Sequence, residues 1–158
     1  MPATQSARPY VVRASATHGR GVFATRTIRK GTRIIEYRGA RLPRSVADER
    51  PASDPTDFYH TMLFELADGN VIDASLRGNA ARWINHGCDP NCEAMEYDDG
   101  RVFIFAKRTI RAGEELRYDY RLDYEGRMTR RAIAAFACRC GAANCRGTML
   151  ARRRSRKQ

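Results

Sequence analysis

The chain has 158 residues, a formal net charge of +11, 42% hydrophobic residues and five cysteines. Such a length supports one domain with its own core plus tails, and the charge suggests acidic partners. The first ten residues, M-P-A-T-Q-S-A-R-P-Y, hold no apolar run of signal-peptide length, and no stretch approaches a membrane span. Secretion and membrane insertion are therefore set aside as expectations, in favour of a reducing intracellular compartment, with nothing to separate a nucleus from a bacterial cytoplasm or a host cell.

In chain order the pattern is one of short strands broken by turns. Tyr10–Arg13 and Gly21–Thr25 read as strands around the turn T17-H-G-R-G21. Arg33–Leu42 alternates as one longer strand, and Ser45-V-A-D48 resembles a capping box that starts a short helix. Phe58–Leu66 and Val71–Ala74 flank A-D-G-N as a hairpin, while a short helical turn is expected over Gly78–Asn85, starting from Asn79. Glu93–Tyr97 and Arg101–Ala106 flank D98-D-G100, the strongest hairpin signal in the chain. Glu115–Tyr120 reads as a further strand, and Met128–Phe136 as a short amphipathic helix. One segment echoes another: A24-T-R-T-I-R-K-G31 recurs as A106-K-R-T-I-R-A-G113. Shared turn grammar at the glycines explains that echo without a duplication. The expected fold class is mainly β, in one domain with few short helices.

The cysteines carry the first chemistry. Cys138, Cys140 and Cys145 stand close together as C-R-C-G-A-A-N-C, and Cys88 lies alone upstream in I84-N-H-G-C-D-P-N-C92. Disulfide pairing in a secreted chain is one reading. Against it, C-x-C is too tight for an ordinary structural disulfide and an odd thiol count leaves one over. A closed structural zinc site needs four thiolates, and a three-plus-one arrangement would tie the C-terminal segment onto the Cys88 loop.

Four segments in this order resemble the SET-domain family of protein lysine methyltransferases. They are H18-G-R-G-V-F23, G78-N-A-A-R-W-I-N-H-G-C-D-P-N-C92, G113-E-E-L-R-Y-D-Y120 and the C-x-C-x4-C of Cys138, Cys140 and Cys145. The first is weak alone; N-H-x-C-x-P-N-C followed by E-E-L-x-Y-D-Y is highly specific. The resemblance runs from about Tyr10 to Leu150 and implies small, mostly antiparallel sheets with a threaded, pseudoknot-like core. The organisation expected from it is a tail over 1–9, a SET domain over 10–121, a linker with a short helix over 122–137, a post-SET zinc loop over 138–150 and a basic tail over 151–158.

The same resemblance implies S-adenosylmethionine as cofactor and methyl transfer to a lysine ε-amine. It places Tyr120 as the catalytic tyrosine, and Tyr118 where a tyrosine in place of phenylalanine favours mono- or dimethylation. Gly19, Arg20 and Gly21 match the glycine turn that approaches the cofactor, and Asn85 and His86 the cofactor-contacting pair. Cys88, Cys138, Cys140 and Cys145 become the ligands of a structural Zn2+, leaving Cys92 as a buried, inert thiol. Asn79, Arg82 and Trp83 are architectural. Many relatives carry a channel tyrosine in a slot that is Met62 here, so Met62 and Tyr59 are the candidate substrate-channel residues.

The implied partner is a lysine-containing protein, a histone or another basic nucleoid protein. Asp48, Glu49, Asp54 and Asp57 could dock a basic peptide, or form a solvated loop. The Arg-rich tail Ala151–Gln158, with five positive charges, is either solvated chain or a nucleic-acid contact. A catalytically weak SET domain that only binds peptide or nucleic acid is the alternative to the enzyme.

Overall fold

The computed structural model describes residues 7–51, 62–124 and 126–151. Tyr59, Asp54, Asp57 and the tail beyond Ala151 lie outside the described residues, as does the 58–61 part of the expected hairpin.

Among the described residues, ten short strands form four small sheets. β1 (Tyr10–Ala14) pairs antiparallel with β2 (Arg20–Ala24) across the expected turn, where Gly19 takes φ +43°. That left-handed conformation is one that glycine adopts without steric cost. β3 (Arg33–Tyr37) lies on one side of β9 (Val102–Ala106), and β8 (Cys92–Glu96) on the other, both antiparallel. β9 is the central strand, and its run V-F-I-F-A is buried at Val102, Phe103, Ile104 and Ala106. The β8–β9 turn is the Asp-Gly hairpin read from the sequence, with Gly100 at φ +76°. A third sheet sets β6 (Asn70–Asp73) between β4 (Ala40–Pro43) and β5 (Leu63–Glu65).

The single strand expected over Arg33–Leu42 is two strands, β3 and β4, in different sheets. The break falls at Gly39, where a Cβ would stand 2.4 Å from the Asp73 carbonyl oxygen. The chain can pass that close to β6 only without a side chain. The short helix α1 (Arg44–Asp48) is present, but not by the capping box: its N-cap is Pro43, with no side-chain cap bond. An ion pair one turn apart, Arg44 to Asp48 at 3.1 Å, spans it instead. The turn Ala80–Trp83 is a 3₁₀ helix capped by Asn79, whose side chain accepts from the Ala81 N–H and donates to the Glu36 carbonyl.

Two two-residue strands position the site. β7 (Asn85–His86) and β10 (Arg117–Tyr118) run parallel, with Asn85 opposite Arg117 and His86 opposite Tyr118. The strand expected over Glu115–Tyr120 is thus only two residues long, because its partner β7 is equally short. Beyond it, α2 (Arg130–Ala135) is capped by Thr129, and the chain returns so that Leu150 bridges Leu122. The main core holds Val22, Ile84, Val102, Ile104, Ile110 and Leu116, each 1% exposed or less, and none of its buried members lies beyond Tyr118. Among the described residues no helix is long and apolar enough to cross a membrane.

Candidate active site and metal centre

The β7–β10 pairing brings the N-H and Y-D-Y segments together and leaves an aromatic cleft beside them. This cleft, about 410 Å³, is lined among others by Tyr37, Met62, Phe64, Tyr118, Tyr120 and Met149. Tyr118 and Tyr120 have ring centroids 4.9 Å apart, and Tyr120 meets the His86 ring edge-on at 5.3 Å. Tyr120 is fixed at three points: its N–H donates to His86 Nδ1 at 3.0 Å, its hydroxyl donates to the Ile84 carbonyl, and its ring packs on two others. Burial pushes the Tyr120 phenol well above its ordinary pKa, and the neighbouring Tyr37 and Glu115 push the same way. Burial does the same to Tyr118 and Tyr37. All three remain neutral phenols at any physiological pH.

His86 is neutral as well. Burial pulls its pKa down to about 4, and the cations Arg146 and Arg117 offset part of what nearby Asp119 would restore. Because Nδ1 accepts from the Tyr120 N–H, the ring proton sits on Nε2, which lies 3.5 Å from the Cys88 sulfur. One imidazole therefore connects the tyrosine pair to the cysteine cluster.

The glycine turn is held from below by a buried network. Asn85 Nδ2 donates to the carbonyls of His18 (3.3 Å) and Arg20 (2.9 Å) and to Glu115 Oε1 (2.8 Å). The Glu115 carboxylate also accepts from Ser15 Oγ and from Arg117, whose guanidinium reaches on to Thr17 Oγ1 and the Cys140 carbonyl. A Cβ on Gly21 would fall 2.3 Å from Glu115 Oε1, so glycine is required there. At Gly19 a Cβ would meet nothing within 4 Å, so the turn borders open space. Arg20 is exposed, with its guanidinium 5.3 Å from the Trp83 ring centroid. Removing the hub, Glu115→Ala, leaves Arg117 without its carboxylate, while Asn85 keeps the His18 and Arg20 carbonyls. Urea unfolding is expected to show a loss of about 3 kcal/mol, the low end for a broken buried pair because Arg117 keeps two other acceptors.

The cysteines converge. The sulfurs of Cys88, Cys138, Cys140 and Cys145 all lie within 4.8 Å of one another, with Cys88 and Cys138 at 3.8 Å. Four sulfurs about 2.3 Å from a shared centre would stand about 3.8 Å apart, so the spacing suits a tetrahedral zinc. Backbone N–H groups point at the sulfurs: Arg146 N to Cys88 and Gly147 N to Cys145, both at 3.4 Å. Burial works against ionising Cys140, yet backbone donors at Cys88 and Ala142 and the neighbouring thiols hold it down at about 6. Cys92 is apart from the cluster, 1% exposed on β8, and burial pushes its thiol up to about 12. The donor set fits the implied zinc.

Four residues of the site escaped the sequence reading. Tyr37 supplies a third hydroxyl, donating to the Met62 carbonyl at 3.1 Å. Glu115 is the hub just described. Asp119, the middle residue of Y-D-Y, receives a two-pronged salt bridge from Arg146 at 2.8 and 2.9 Å. That pair clamps the cysteine loop onto β10. Arg146 Nε is buried with no partner among the described residues, a donor left over beside the Asn85–His86 strand. An open glycine turn and a spare buried donor fit a polar cofactor at this place.

Comparison with known proteins decides the family. The SET domain family model matches residues 19–121. The chain belongs to the SET-domain family. This SET domain is 43% identical over 138 residues to "Histone-lysine N-methyltransferase trr" of Drosophila melanogaster, and 40% identical over 135 residues to "Histone-lysine N-methyltransferase 2B" of Homo sapiens. It is 38% identical over 148 residues to "Histone-lysine N-methyltransferase, H3 lysine-4 specific" of Candida albicans. These alignments cover 85%, 84% and 91% of the present chain, but only 6%, 5% and 14% of the respective relatives.

Proposed function

We propose that this SET domain is a protein-lysine N-methyltransferase that uses S-adenosylmethionine. The observation that carries the reading is the placement of Tyr118 and Tyr120, in a cleft beside the Asn85–His86 strand, within a chain similar over most of its length to histone-lysine methyltransferases. When bound, S-adenosylmethionine supplies an electrophilic methyl group on a sulfonium. Gly19, Arg20, Gly21, Asn85 and His86 would hold it, with the Glu115 network keeping the turn in place.

The protein's residues then have three tasks. They align the lysine nitrogen with the methyl, which for well-oriented reactants contributes about 7–11 kcal/mol. They exclude water, through the ring faces of Tyr37, Phe64 and Tyr120. They favour the neutral amine, because an apolar channel disfavours a charged lysine whose ordinary pKa is about 10.4. None of the tyrosines is a base, since each stays protonated, so the lysine proton leaves to solvent before transfer. Tyr120 donates its hydroxyl proton to the Ile84 carbonyl, which leaves its oxygen lone pairs free to accept from the methyl and the amine.

The substrate we infer is a histone or another basic, DNA-associated protein, with the histone H3 tail the first to test. Four clustered thiols further favour a reducing compartment. Tyr118 fills the cleft beside Tyr120 and restricts the space available to a methylated amine, favouring mono- and dimethyl-lysine. The test is transfer of labelled methyl from S-adenosylmethionine to a panel of histones and basic nucleoid proteins, with products resolved by mass spectrometry. Label on lysine supports the reading; no label on any acceptor, with cofactor bound, overturns it. Tyr118→Phe is expected to raise the trimethyl fraction roughly tenfold, a preference change of about 1.4 kcal/mol.

A further inference from the structure

The sequence echo is a structural pair. Ala24–Gly31 and Ala106–Gly113 bind each other through reciprocal hydrogen bonds: Ile28 N–H to the Ile110 carbonyl and Ile110 N–H to the Ile28 carbonyl, each 2.8 Å. The closing glycine of each copy donates to the opening alanine of the other, Gly31 to Ala106 at 2.8 Å and Gly113 to Ala24 at 2.7 Å. Both glycines take positive φ, +83° and +88°, and both turns close alike, Thr32 N–H on Arg29 and Glu114 N–H on Arg111, each 3.1 Å. Turn grammar alone does not make two distant segments bond to one another; these form a double turn with local two-fold symmetry.

The residues of this double turn that face inward are Ala24, Ile28, Ala106 and Ile110, each 3% exposed or less. Its cations, Arg26, Arg29, Lys30, Lys107, Arg108 and Arg111, are all exposed, together with Thr27 and Thr109. Neither copy contains an acidic residue, and Glu114, next along the chain, pairs with Arg108 at 3.0 Å. Nothing in the cleft chemistry uses this surface.

We propose that the double turn is a binding site for the phosphate backbone of double-stranded DNA. Guanidinium, ammonium and hydroxyl groups are the side chains that contact phosphate, and such contacts hold a duplex without reading its sequence. Between Ala24 and Gly31 and between Ala106 and Gly113 the patch exposes no large apolar or aromatic side chain, the anchor that protein interfaces usually centre on. A duplex therefore fits better than an acidic protein surface. The site lies in the folded domain and is independent of the Arg-rich tail. Its relevance to catalysis rests on the proposed substrate being DNA-associated, but the binding itself does not.

The test is fluorescence anisotropy of a labelled random-sequence DNA duplex with the zinc-loaded full chain over a salt series. Four proteins are compared: the wild type, R29A/K30A/R111A, the tail variant R152A/R153A/R154A, and the variant that combines both sets. Removing three phosphate contacts is expected to flatten the slope of log K against log salt by about 2.7, and to weaken binding at least tenfold at moderate salt. The tail variant is expected to retain a salt-dependent affinity that the double-turn substitutions then remove. Unchanged thermal unfolding and unchanged methylation of a free histone peptide separate this effect from misfolding. Wild-type DNA affinity in R29A/K30A/R111A overturns the proposal. So does retained DNA binding alongside lost binding of polyglutamate, which would assign the patch to an acidic protein. A failure of methyl transfer by the wild type would sink the enzyme reading and leave the DNA measurement standing.

Discussion

Tyr120→Phe is expected to lower methyl transfer by about 100-fold or more while leaving cofactor affinity within a few fold. The substitution deletes one oxygen and keeps the ring, so the contacts to His86 and Tyr118 survive. Two things are lost. The lone pairs that would accept from the methyl and the amine disappear from the cleft, which removes stabilisation specific to the transition state and lowers kcat more than it raises KM. The buried Ile84 carbonyl also loses its donor, at a cost to stability of about 1–2 kcal/mol. Because the Tyr120 phenol is held neutral by burial, it contributes no ionisation to the pH profile. The rate should climb with pH as the lysine amine deprotonates, and the mutant should climb in parallel from a lower level. Single-turnover transfer to a histone peptide across neutral to alkaline pH, with cofactor binding measured by calorimetry, checks both. A flattened profile in the mutant would show Tyr120 acting as a base and refute this account.

Legibility of the site followed the contiguity of its parts. Tyr118 and Tyr120, Asn85 and His86, and the four cysteines stand in short motifs whose chemistry is visible in one dimension. Their meeting was not derivable from periodicity, because β7 and β10 are two residues each and pair in parallel across a long stretch of chain. Only the family resemblance supplied that. Tyr37 and Arg146 were missed because each works through a partner far along the chain, Met62 and Asp119, with no local signature. Glu115 sat in a quoted motif, yet only folding brings Ser15, Asn85 and Arg117 around it. Where local rules were applied to the fold, tertiary contact overrode them. Gly39 broke the strand read over Arg33–Leu42 because Asp73 backbone packs against it, and Pro43 rather than Ser45 opens α1. The echo of Ala24–Gly31 in Ala106–Gly113 was legible as a pattern, but the bonds between its copies were not.

Removing the metal should separate the cleft from the fold. The main core contains no buried residue beyond Tyr118, so a strong chelator is expected to leave most of the β structure and its cooperative unfolding intact. The C-terminal segment is different. Phe136 and Met149 from it line the cleft, and Arg146 clamps Asp119, the residue between Tyr118 and Tyr120. Apart from the cysteines, the contacts that tie it to the rest among the described residues are short-range and few, chiefly the Leu122–Leu150 bridge, the Arg146–Asp119 ion pair, the Arg117 bond to the Cys140 carbonyl and buried side chains such as Leu150. Structural zinc in small thiolate sites contributes on the order of 10 kcal/mol to the segment it organises, far more than those contacts supply. Burial raises the Cys88 and Cys138 thiols in the absence of metal, so in the stripped loop the hydrogen bonds to Cys140 stand in for a four-thiolate site. Methyl transfer should therefore fall at least 100-fold on chelation and return when zinc is restored, with far-ultraviolet circular dichroism nearly unchanged throughout. Cys140→Ser is expected to reproduce the loss without rescue by zinc. Full transfer by metal-free protein would show that the C-terminal segment closes the cleft without its metal.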